Sequence, residues 1–85
     1  MRRIVLDGRY LRERENAQTY LAHALELPDW YGMNLDALAD CLGEMGTDTE
    51  IILLHAGECT DYGVRVRRVL RELSQGEDTY SYSEV

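Results

Sequence analysis

The residues that could do chemistry in this chain are few, and most are acidic. Asp36, Asp40 and Glu44 recur at i, i+4 and i+8, which on a helix of 3.6 residues per turn aligns them along one side. Leu35, Leu38, Cys41, Leu42 and Met45 gather on the opposite side. Beside the acidic row stand only Ala39 and Gly43, both small, so such a helix shows water a ridge of like charges with nothing bulky to shield it. Each like-charge step costs a helix about 0.2–0.5 kcal/mol, and Asp36 recovers a similar amount from the dipole of the first turn. Immediately ahead come Trp30 and Tyr31, adjacent aromatics in a loop bracketed by Pro28 and Gly32. Loop aromatics beside a charged helix of small residues have the form of interface anchors. The competing readings are a plain solvated face for the ridge and a cover over the core edge for the aromatics.

Other chemistries find less support. Asp36 and Asp40 share one helix face, whereas acid–base catalysis by a carboxylate pair needs the two across a cleft. No Ser–His–Asp order and no glycine-rich phosphate loop is present, so an enzyme is not expected. Cys41, His55 and Cys59 lack the spacing of a metal site. No metal or cofactor is expected, and two buried, reduced thiols are the simpler reading. His23 and His55 read as structural. Arg65, Arg67, Arg68 and Arg71 lie off the apolar stripe of their helix, whose dipole favours cations toward its C-terminus, and read as a solvated basic face. With 16 acidic and 9 basic residues the formal charge is −7. A nucleic-acid backbone would repel that charge, whereas a basic protein would be drawn to it over about a Debye length.

The elements that must position these residues follow from periodicity and punctuation. Eighty-five residues predict a single domain over 1–85. Arg3–Leu6 reads as a strand closed by Asp7-Gly8. Asn16 is expected to cap a helix running to about Glu26, stopped by Pro28. Residues 28–33 form the aromatic loop, and Asn34 caps a helix to about Met45. Glu50–Leu54, the most apolar run, predicts a buried central strand. Tyr62, Val66, Val69, Leu70 and Leu73 mark the dry stripe of a helix over 61–73. Thr79–Ser83 alternates as a half-exposed edge strand. Strands separated by helices pair in parallel through crossovers, so the expected fold is α/β, a three-stranded parallel sheet with helices packed on it. The first eight residues hold an apolar run of only three, and no segment approaches the ~20 apolar residues of a membrane helix. The expectation is an unexported, cytoplasmic protein without a membrane partner.

Leu27-Pro28-Asp29-Trp30-Tyr31-Gly32-Met33-Asn34-Leu35-Asp36-Ala37-Leu38-Ala39-Asp40-Cys41-Leu42 closely resembles the signature segment of the barstar family, intracellular inhibitors of barnase-type ribonucleases. The flanking organisation is similar too, including an Arg-Glu, here Arg71-Glu72, near the end of the last helix. The resemblance implies inhibition by substrate mimicry. Asp40 would enter the ribonuclease's phosphate site, and Asp36 would meet further basic groups. Trp30 stands where the family has a tyrosine packed on the active-site histidine. Gly32 and Asn34 would line the contact, with Tyr31, Ala39, Glu44 and Glu72 completing the partner-binding set. The implied partner is a basic, secreted-type ribonuclease, met by a protein that is monomeric when free. The alternative is a barstar-like binding module for a different toxin or regulatory protein. Two departures bear on the choice of ribonuclease. Ala39 replaces a frequent family tryptophan, and the stretch between the middle strand and the last helix is shorter. Arg68, four residues before Glu72, is also placed to pair with it.

Overall fold

The computed structural model describes residues 1–85. Strand β1 (Arg2–Asp7) leads through a 3-10 turn at Gly8–Tyr10 to helix α1 (Arg14–Ala24). Helix α2 (Leu35–Gly43), strand β2 (Thr49–Leu54), a 3-10 turn at Ala56–Glu58, helix α3 (Tyr62–Leu73) and strand β3 (Ser81–Glu84) follow. The sheet order is β1-β2-β3 with both pairings parallel. The α/β fold and the central place of the apolar strand agree with the sequence.

The register shows how the sheet divides its faces. Ile4 lies opposite Ile51, and Ile51 opposite Tyr82; Leu6, Leu53 and Glu84 align in the same way. These positions face the helices, and Ile4, Leu6, Ile51 and Leu53 are buried with Leu21, Leu25, Leu38, Leu42, Val66 and Leu70 in one core. On the other face Val5 is exposed, Ile52 is half-buried, and Arg3 pairs across the strands with Glu50 at 2.8 Å. The apolar run of β2 therefore does not mark a strand buried on both sides. Its burial alternates, because the helices cover one face only.

Several boundaries differ from the sequence reading by a few residues. Helix α1 begins two residues before Asn16, with Glu13 at the cap position and no side-chain cap. The Glu13 carbonyl accepts the first helical bond, from the Ala17 amide at 2.8 Å, so Asn16 lies inside the first turn. Helix α2 ends at Gly43, with Glu44 in the closing position and Met45 half-buried beyond it. The last strand starts at Ser81 because Tyr80 leaves the alternation to fill the core, its hydroxyl donating to the Leu70 carbonyl at 2.6 Å. No helix is long and apolar enough to cross a membrane.

Candidate functional site

The site is built at the junction of the 28–33 loop and α2. Asn34 sits in extended backbone, and its Oδ1 accepts from the Ala37 amide at 2.8 Å, satisfying a donor the helix cannot use internally. Its Nδ2 donates to the Gly32 carbonyl at 3.1 Å, so one side chain fastens both the loop and the helix start. A Cβ on Gly32 would lie 3.3 Å from that Nδ2, so a larger residue there would press on the clasp. Between them Met33 has φ 56°, a left-handed conformation that costs a residue with a side chain about 1 kcal/mol. Pro28 begins a turn closed by the Tyr31 amide on its carbonyl at 2.9 Å.

This geometry separates the two adjacent aromatics. Trp30 is 73% exposed and stands out from the loop, while Tyr31 is 7% exposed and belongs to the core. The ring of Tyr31 is thus withdrawn from the surface that the resemblance assigned to it; it supports the loop from beneath. Its hydroxyl donates to Gln18 Oε1 and lies 3.3 Å from the Asn34 carbonyl. Burial pushes this phenol up to about 12.

Along α2 the division expected from the helical wheel is observed. Leu38, Cys41 and Leu42 are buried and Leu35 half-buried, while Asp36, Asp40 and Glu44 are exposed. Ala39 is half-buried between them, and a Cβ on Gly43 would meet nothing within 4 Å, so the floor beside the ridge is open. Burial raises the Cys41 thiol, with Glu44 and Asp40 adding to the effect, which leaves it neutral beneath the carboxylates. Both cysteines are free and buried.

The placement of the arginines decides the electrostatics. Arg2 pairs with Glu26, Arg3 with Glu50 and Arg9 with Asp7. Arg67 and Arg71 both reach Glu84. No arginine pairs with Asp36, Asp40, Glu44 or Glu72, so the ridge carries its charge without an internal counter-ion. Arg68 does not engage Glu72, in keeping with the weaker i, i+4 orientation in which the cation precedes the anion. Helix α3, which carries Glu72, packs against α2.

Over residues 1–77 the sequence matches that of the Barstar (barnase inhibitor) family. The chain belongs to the barstar family. It is 50% identical over 42 residues to the protein named "Putative ribonuclease inhibitor YrdF" of Bacillus subtilis (strain 168). That match covers 49% of this chain and 46% of the relative, so the chain spans about half the length of the curated relative it matches. Strand β3 lies beyond the family match, yet it completes the barstar-like sheet here.

Sequence reasoning missed the buried polar group beneath the loop. Gln18 is 1% exposed and donates from Nε2 to the Tyr62 hydroxyl at 2.6 Å. A signal existed, since Gln18 lies three residues before Leu21 and seven before Leu25, on the buried face of α1. The arginine clamp on Glu84 left no such signal, because Arg71 and Arg67 lie 13 and 17 residues away.

Proposed function

We propose that this barstar-family chain is a non-enzymatic inhibitor of a basic, barnase-type ribonuclease, and that it closes the enzyme's active site with the acidic face of α2 and the 28–33 loop. The observation that carries the reading is the exposed carboxylate row Asp36, Asp40 and Glu44, free of internal cations and flanked by the exposed Trp30. A ribonuclease site is built of cations that hold a phosphodiester. A carboxylate offers two acceptor oxygens to a guanidinium fork, as a phosphate does. Asp40, at the middle of the ridge, takes the phosphate position; Asp36 and Glu44 meet basic groups on either side of it. Trp30 provides the flat apolar surface for an imidazole or base-binding pocket. Gly32 and Asn34 shape the approach, Ala39 leaves room for partner bulk, and Glu72 on α3 adds a lateral acidic contact. Tyr31 acts from below by holding the loop.

The net charge of −7 speeds encounter with a cationic enzyme, and pairs buried on docking then slow release. The partner is the protein, not its RNA, and the inhibitor acts as a cytoplasmic monomer. The test is an RNA-cleavage assay with a basic barnase-type ribonuclease and increasing amounts of this protein. The expected result is inhibition saturating at one inhibitor per enzyme. Unchanged cleavage, with no complex by gel filtration, would point to a barstar-like module for a different protein. RNA cleavage by this chain alone would refute the non-enzymatic reading.

A further inference from the structure

We propose that Gln18 is a positioning residue for the binding loop: buried under it and out of reach of any partner, it fixes the pose of Trp30 and the start of α2 by bridging Tyr31 to Tyr62. The bridge has three members from three places in the chain. Tyr31 belongs to the loop, Gln18 to α1, and Tyr62 is the first residue of α3. The amide of Gln18 offers one acceptor and one donor group, and a tyrosine hydroxyl can both give and accept. In either orientation of the amide, therefore, both hydroxyls are satisfied.

The bridge anchors the loop from below, opposite the clasp that Asn34 makes on the Gly32 carbonyl at the surface. Tyr31 is its buried residue, whereas Trp30, Gly32 and Met33 are exposed. Met33 holds a left-handed conformation next to the helix cap, so the segment has a local reason to relax if its anchor is released. The Tyr31 hydroxyl also lies near the Asn34 carbonyl, which accepts the first helical bond of α2 from Leu38 at 2.9 Å. One amide thus links the loop to α1 and to the start of α3, the helix that carries Glu72.

The effect on affinity rests on the inhibitor reading; the effect on the loop does not. Trp30 is the only tryptophan, so its fluorescence reports the loop directly. In the unaltered protein, Trp30 anisotropy is expected to decay mainly with the tumbling of the whole molecule. In Gln18→Leu, which keeps the volume and removes both bonds, a fast nanosecond component is expected. Affinity for a barnase-type ribonuclease should fall about tenfold, as the competent loop population falls by that factor. Tyr31→Phe, which keeps the ring in the core, should loosen Trp30 similarly, and the double variant should loosen it no further. Tyr80→Phe, which loses a buried hydrogen bond elsewhere, serves as the stability control and should leave the Trp30 decay unchanged. Unchanged Trp30 anisotropy in Gln18→Leu and Tyr31→Phe would overturn the proposal, as would equal loosening in Tyr80→Phe. If the loop loosens as described but the unaltered protein binds no ribonuclease, the positioning role stands and the inhibitor reading fails.

Discussion

Glu84 closes the fold at its C-terminal strand, and removing its charge has a consequence that can be worked from the contacts. Its carboxylate accepts from Arg67 Nε at 2.8 Å and Arg67 Nη2 at 2.7 Å, from the Tyr82 hydroxyl at 2.7 Å, and more weakly from Arg71 at 3.4 Å. These bonds, the Arg67 fork first, hold its pKa down to about 2 against the partial burial that opposes it. A depressed folded-state value means the stabilisation is complete above the ordinary carboxylate value near 4.5 and is lost as pH falls through about 2. The shift corresponds to about 3 kcal/mol before screening; the carboxylate is 23% exposed, so about 1.5–2 kcal/mol is the expected share. Glu84→Gln should therefore lower the urea-unfolding free energy by about 1.5–2 kcal/mol at pH 7, with the slope against urea unchanged. The gap between variant and unaltered protein should narrow steadily from pH 4.5 towards pH 2. Comparing the two proteins at each pH cancels the titration of the other carboxylates, Asp7 included. Equal stability at pH 7, or a gap that does not change with pH, would show that the Glu84 carboxylate contributes nothing through these bonds.

Other outcomes follow from the same contacts. Asn34→Ala should cost about 1 kcal/mol in thermal unfolding through the lost cap, and should weaken ribonuclease binding further by freeing Gly32. Gly8→Ala places a Cβ 2.7 Å from both Cys59 Sγ and the His55 carbonyl, so a loss of about 1–3 kcal/mol is expected in urea unfolding. Trp30→Ala should leave stability within about 0.5 kcal/mol, since the ring is mostly in water, while weakening the complex by about 2 kcal/mol or more in titration calorimetry.

The parts of the fold legible in sequence are those written in short-range pattern. Asn34 ahead of an apolar run marks a helix start, and the stripe from Tyr62 to Leu73 marks α3, because each signal lies within a few turns of chain. The run Ile51–Leu54 marks a central strand but is silent on how many faces are covered; that depends on where three helices settle. Thr79–Ser83 alternates like a strand, yet the fit of Tyr80 beneath α3 takes it out of the ladder and moves the strand on by two residues. In the site, the acidic ridge is pure helical spacing and was readable. The opposite fates of Trp30 and Tyr31 were not, since adjacent aromatics are parted only by the backbone turn between Pro28 and Asn34. Gln18 hid for a related reason: a polar residue on a buried face signals a bond to a distant partner without naming it.

Binding of a barnase-type ribonuclease to Asp40→Ala, measured beside the unaltered protein at two salt concentrations, tests the acidic-mimic account most directly. Asp40 is exposed and unpaired in the free protein, so its thermal unfolding should stay within about 0.5 kcal/mol. Removing a charge that docks against cations should cost about 2–5 kcal/mol of affinity, roughly thirtyfold or more. Affinity within about twofold of the unaltered protein would contradict the account.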